Sequence, residues 1–203
     1  MEISLSGRSA IITGASKGIG LAMATQFATS GADVALVARG REALDAAVAG
    51  IRAKAQAKVV GISADVSKPD EVKRAYDEAM KAFGKIDIVV NNAGTSNTTP
   101  FESLTDEAMQ QDLDLKLFGA IRLTRLAWPQ MKERRWGRVV NVLNIGAKAP
   151  RGGSAPTTIS RAAGLALTKV LAGEGMWNML QWSFWLICLK FSVPMLLSYG
   201  IWS

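Results

Sequence analysis

The sequence contains no histidine and only one cysteine, Cys188. The first absence excludes Ser-His-Asp triads, Cys-His pairs and His-bearing zinc sites together, so no metal is expected. The second excludes an internal disulfide and fits a reducing compartment, with the cytoplasm as the expected location. Residues Met1 to Gly14 lack the basic stretch and long apolar run of a secretory signal. Internal repeats and low-complexity tracts are also missing. The length of 203 residues suits one domain, with or without an appendage.

What is present is a globular balance: 49% hydrophobic and 20% charged residues can fill a sizeable core. The formal net charge of +7 leaves three partners open: nucleic acid, an anionic membrane, or a phosphate-bearing ligand. The densest basic run is Lys132, Arg134, Arg135 and Arg138 around Trp136. No nucleic-acid motif accompanies it, so it reads as a solvated helix end and no nucleic-acid partner is expected.

Short apolar runs alternate with helix-patterned runs from residue 8 to 174. Strands are expected at Arg8 to Thr13, Ala32 to Ala38, Lys58 to Ser63, Lys85 to Asn91 and Gly137 to Leu143. Helices are expected at Gly18 to Thr29, Glu42 to Ala55, Pro69 to Phe83, Thr105 to Lys132 and Thr157 to Ala172, with Ser67 as an N-cap and Pro129 as a candidate bend. Apolar strands alternating with helices imply an α/β fold, a doubly wound parallel sheet covered on both faces. Ligands of such sheets bind beyond the carboxyl ends of the strands.

The first strand runs directly into Thr13-Gly14-Ala15-Ser16-Lys17-Gly18-Ile19-Gly20. Gly14 permits a tight turn, Gly18 lets backbone approach a pyrophosphate, and Gly20 lets the helix sit close to the sheet. The helix that follows aims free N–H groups and its positive end at the phosphates. Ser16, Lys17 and Ile19 complete this candidate phosphate loop. A glycine-rich turn without a ligand is the alternative.

With these residues the sequence resembles the classical short-chain dehydrogenase/reductase family. That family's Thr-Gly-x-x-x-Gly-x-Gly motif is matched by Thr13 to Gly20. Its Asp-Val after the third strand is matched by Asp65-Val66, and its Asn-Asn-Ala-Gly after the fourth by Asn91-Asn92-Ala93-Gly94. The resemblance covers roughly residues 5–174. It implies a Rossmann-like dinucleotide-binding domain over 1–174, with Asp65, Val66, Asn92, Ala93 and Gly94 at the nucleotide. It also implies a carbonyl or alcohol substrate and a homo-oligomer paired through the helix at 105–132. The second strand ends Ala38-Arg39-Gly40-Arg41 with no acidic residue to hold a ribose hydroxyl. Arg39 and Lys17 point to NADP(H) rather than NAD(H), unless these arginines are surface charges.

The family's proton chemistry rests on a tyrosine, a lysine four residues later, a serine thirteen residues before the tyrosine, and an asparagine on the long helix. At the matching positions this sequence has Thr157, Arg161, Asn144 and Lys116. Asn144 can still donate to a carbonyl oxygen. Arg161 can bind ribose oxygens but cannot give up a proton. A threonine hydroxyl is a far weaker acid than a phenol. Lys116 is the one new group able to move a proton, if buried beside another cation. Two readings stand: an oxidoreductase with a rebuilt proton relay, or a nucleotide-binding sensor or scaffold without turnover. The bland alternatives are a surface Lys116, Thr157 as a helix N-cap, Asn144 as a strand end and Arg161 paired with a carboxylate. Lys148 is expected in the substrate-flanking loop or in solvent.

After Glu174 the resemblance stops, so residues 175–203 read as a divergent, apolar, aromatic-rich tail that lacks the family's last strand. From Trp182 to Trp202 the only charge is Lys190. A buried strand, a membrane anchor and an altered reading frame all remain open there, with Pro194 and Lys190 arguing against the anchor.

Overall fold

The computed structural model describes residues 4–176. Five strands form one parallel sheet: β1 (Ser9–Thr13), β2 (Asp33–Ala38), β3 (Val59–Ser63), β4 (Ile88–Asn91) and β6 (Arg138–Asn141), in the order β3-β2-β1-β4-β6. Ile12 of β1 lies between Leu36 of β2 and Val90 of β4. A two-stranded antiparallel ribbon, β5 (Thr98–Thr99) with β7 (Ala155–Pro156), sits apart from it and has no counterpart in the sequence expectation.

The strand period of two divides the core. Ala10, Ile12, Val34, Leu36, Ile88 and Val90 face one cluster, covered by α1 (Gly18–Thr29) and α2 (Arg41–Arg52). Ile11, Ala35, Val37 and Val89 face the other, beneath α3 (Pro69–Phe83) and α5 (Gly119–Glu133). The inner strands β1, β2 and β4 are therefore buried on both faces and read as apolar runs, while the edge strands β3 and β6 are partly exposed. Helix α3 shows how local chemistry sets the ends. Pro69 stands in its first turn with Asp70 and Glu71, Lys81 in its last, and Gly84 closes it with a left-handed φ of 75°.

Two expectations need correction. Ser67 is not the N-cap of α3: Lys68 occupies that position without a side-chain bond, and the Ser67 hydroxyl donates to Asp65 instead. The long helix runs unbroken from Asp106 to Glu133, but it is not α-helical throughout. It consists of α4 (Asp106–Leu113) and α5, joined by a π-helical turn over Asp114–Phe118. The helix runs on through Pro129; its irregularity lies earlier, at the turn that carries Lys116. Helix α6 (Thr157–Met176) completes the described fold.

No helix among the described residues is long and apolar enough to cross a membrane. The readings of the tail fall outside the described residues. The basic run near Trp136 is partly absorbed: Arg134 donates to Gln130, Ile86 and Asp87, while Arg8 and Arg138 stack on the Trp136 ring.

Core burial gives the first testable contrast. Leu36, fully buried in β2, should cost about 2–5 kcal/mol when cut to alanine. Phe101, 78% exposed, should change stability by no more than about 0.5 kcal/mol. Urea unfolding of Leu36→Ala and Phe101→Ala measures both.

Candidate functional site

Strand order reverses at β1, whose neighbours are β2 on one side and β4 on the other. A crevice opens there beyond the carboxyl ends of the strands. Thr13 ends β1 and Asn91 ends β4, so the glycine turn and the Asn92-Ala93-Gly94 segment meet in that crevice. They are clamped together. The Thr13 hydroxyl accepts from the amides of Asn92 and Ala93, both at 3.0 Å, and the Asn92 side-chain amide donates to the carbonyls of Thr13 and Gly14.

The three glycines of the turn do different things. Gly14 has φ 66°, and a Cβ there would lie 2.9 Å from the Ala93 backbone. A Cβ at Gly20 would lie 2.3 Å from the Gly14 carbonyl oxygen, so α1 could not start so close to the sheet. Gly18 has φ 58° and faces open space. No side chain caps α1, and its first turn carries no acid, which leaves its leading amides available to an anion.

A cavity of about 580 Å³ lies over this turn. Of the expected nucleotide residues, Gly14, Ser16, Lys17, Ile19, Arg39, Asp65, Val66, Asn92, Ala93 and Gly94 line it; Gly18 and Gly20 do not. Arg39 is exposed at the tip of β2 and makes no ion pair among the described residues, whereas Arg41 pairs with Asp45. Asp65 is half-buried. Burial opposes its ionisation, but bonds from the Ser67 hydroxyl and amide, helped by the charges of Arg39 and Lys68, hold its carboxyl below the usual range.

At its inner end the cavity is lined by Asn144 and Arg161, with Leu115, Val142 and Leu143. Arg161 donates to the Val142 carbonyl, and its guanidinium lies over Gly94, where a Cβ would fall 2.5 Å away. Asn144 Oδ1 and Arg161 Nε are both buried without a partner. An orphan acceptor and an orphan donor on one cavity wall are what a polar ligand would satisfy. The glycine cradle and these two atoms together fit a nicotinamide nucleotide.

Lys116 and Thr157 lie behind this wall and do not line the cavity. The surface-lysine alternative fails: the Lys116 side chain is 1% exposed, pairs with Asp112 and donates to Thr157 Oγ1 at 2.8 Å. The N-cap alternative for Thr157 fails as well, because its hydroxyl is taken by Lys116 and the Asn97 amide. Asp112 in turn accepts from the Ser160 hydroxyl at 2.6 Å. Burial lowers the pKa of Lys116; Asp112 opposes this and Arg161 adds to it. Burial also lowers that of Arg161, again against Asp112, but a guanidinium stays charged. Arg161 has no carboxylate at ion-pair distance among the described residues, and Lys148 is exposed. Asp112 and Ser160 were missed in the sequence, although Asp112 stands four residues before Lys116, the spacing of a helical ion pair.

A model of the short chain dehydrogenase family matches residues 8–177. The chain belongs to this family. The 3-oxoacyl-[acyl-carrier-protein] reductase FabG of Staphylococcus epidermidis is 33% identical over 168 residues, 82% of this chain and 68% of that protein. The 11-beta-hydroxysteroid dehydrogenase 1A of Arabidopsis thaliana is 37% identical over 150 residues, 72% of this chain but 43% of that protein. Among solved structures, L-sorbose reductase from Gluconobacter frateurii, complexed with NADPH and L-sorbose, superposes with a TM-score of 0.85. It is 34% identical, over 89% of this chain and 68% of that one. The short-chain dehydrogenases are oxidoreductases that bind NAD(P) on a Rossmann-like fold, and the single parallel sheet here is that fold.

The buried pair yields a stability prediction. Asp112→Asn leaves the Lys116 ammonium in the interior without a counter-charge and should cost about 3–5 kcal/mol near neutral pH. The folded lysine holds its proton less tightly than the unfolded one, so the unfolded chain binds more protons and the loss should shrink as pH rises through the lowered Lys116 pKa. Urea unfolding of wild type and variant across pH measures the slope.

Proposed function

We propose that this short-chain dehydrogenase binds NADP(H) and acts as an oxidoreductase on a carbonyl or alcohol substrate. One observation carries the reading: a single cavity joins the glycine turn, the basic tip of β2 and the polar wall of Asn144 and Arg161. Arg39 and Lys17 would meet a 2′-phosphate at the tip of β2, a strand that ends in no acidic residue of its own to take a bare hydroxyl. The solved sorbose reductase, itself a complex with NADPH, supports the same preference.

The bound nicotinamide would give or take a hydride equivalent. The chain must then hold the substrate oxygen and move a proton. Asn144 can donate its side-chain amide to that oxygen, and Arg161 can hold ribose hydroxyls with fixed positive charge. The proton source is the Lys116–Thr157 pair. Thr157 Oγ1 accepts from Lys116 and from the Asn97 amide, so both lone pairs are engaged and its own O–H is left to donate. A proton lost from Thr157 is replaced from the Lys116 ammonium. A second reading, nucleotide binding without turnover, has its own supporting observation: Thr157 is 3% exposed and neither it nor Lys116 lines the cavity.

Calorimetric titration with NADPH and NADH tests the binding step. NADPH is expected to bind more tightly, and Arg39→Ala to weaken NADPH by about 1.5–3 kcal/mol, tenfold or more, with NADH nearly unchanged. Gly18→Ala should cost only about 1–2 kcal/mol of stability yet impair both nucleotides. A protein that shows heat with neither nucleotide overturns the proposal. Binding of NADPH without its oxidation by any of a broad set of carbonyls selects the second reading.

A further inference from the structure

The Asp112 side chain is 3% exposed and lies among groups drawn from several elements. It reaches Lys116 across one helical turn and takes the Ser160 hydroxyl from α6. Lys116 is the middle residue of the π-helical turn, and its stem passes 3.5 Å from where a Gly94 Cβ would lie. The charged groups that face Lys116 are Asp112 from α4 and Arg161 from α6; the polar ones are the Thr157 hydroxyl and, through Asp112, that of Ser160.

We propose that Asp112 is a positioning residue that holds Lys116 as an ammonium aimed at the Thr157 hydroxyl, with Ser160 fixing the second carboxylate oxygen. The physical need is plain. A lysine buried beside Arg161 tends to lose its proton, and a neutral amine has none to pass on. The carboxylate offsets both the burial and the second cation. It also restricts the Nζ position, because one N–H points at Asp112 and another at Thr157. In the reducing direction NADPH would supply the hydride to the substrate carbon while the substrate oxygen takes a proton from Thr157; Thr157 regains one from Lys116, and solvent returns the proton to Lys116 between turnovers. Asp112 keeps its charge throughout. This inference rests on the oxidoreductase reading for its role in turnover, but not for the state of Lys116.

The test follows the Lys116 side-chain resonance in full-length, lysine-labelled protein across pH, with Lys116→Arg assigning the signal, alongside the pH profile of NADPH-dependent carbonyl reduction. Asp112→Asn should move the Lys116 titration down by about one pH unit or more. The falling alkaline limb of kcat should move with it, giving about a tenfold loss of turnover at a pH above the shifted limb. Asp112→Glu, which retains the charge, should bring the titration back toward wild type with KM little changed, and it covers the case in which the amide variant does not fold. A Lys116 signal that titrates alike in wild type and Asp112→Asn, or in Asp112→Glu as freely as a surface lysine, overturns the proposal. A shifted titration with an unmoved kcat limb removes Asp112 from turnover. Wild type that binds NADPH and reduces nothing, while Asp112→Asn still shifts the titration, defeats the oxidoreductase reading and upholds the hold of Asp112 on Lys116.

Discussion

The threonine hydroxyl that ends β1 holds the site together. Thr13 Oγ1 takes two amides from the segment after β4, and Asn92 returns two bonds to the carbonyls at the start of the glycine turn. Each bond is worth about 1 kcal/mol net, but all sit at one point where strand order reverses. They fix the floor of the crevice before any ligand arrives. The close approaches at Gly14 and Gly20 are consequences of that clamp: the segments are drawn so near that no Cβ fits between them. The positive end of α1 is thereby held at one height above the sheet.

From this floor the cavity runs toward two different electrostatic environments. At the outer end, Arg39 and Lys17 are exposed, and their charges act through water on whatever approaches. Behind its inner wall, Lys116 and Asp112 are packed with Arg161 away from solvent, and Asp112 opposes the fall in the Lys116 pKa to which burial and Arg161 both contribute. The outer charges suit recognition of an anionic group. The inner ones suit control of a proton. The family's tyrosine and lysine lie one helical turn apart on a single helix. In this chain a basic group and a hydroxyl that meet come from two elements: Lys116 sits in the π-helical turn before α5, and Thr157 starts α6.

The fold was legible wherever one physical requirement dominated the local sequence. β1 and β2 are buried between helix layers, so the middles of their runs are apolar, and the positions of β1, β2 and β3 came out within a residue. α1 and α3 were legible because glycine, proline and charge mark their ends. The helix at 105–132 was read without its π-helical turn, because one residue added to a single turn shifts the apolar face only locally and leaves the chain helical. Ser67 was misread because its hydroxyl had two competing uses, and the bond to Asp65 prevailed over capping. The β5–β7 ribbon had no signal: two residues from each of two distant segments carry no periodicity.

The same division runs through the site. The glycine turn could be found in the sequence because its backbone conformation demands particular residue types, and such demands are local; Asp65-Val66 and Asn92-Ala93-Gly94 were found through the resemblance to the family's motifs. The resemblance also set Lys116, Asn144, Thr157 and Arg161 at the positions it matches to the family's proton machinery. Sequence alone could not determine that Asp112 and Lys116 face inward rather than into water. Four-residue spacing puts two side chains on one helix face, but which face is buried depends on where α6 packs. Only the tertiary structure decided that Thr157, Ser160 and Arg161 arrive opposite that pair, since the energy of a charge depends on the solvent it has lost and the partners brought to it from elsewhere in the chain.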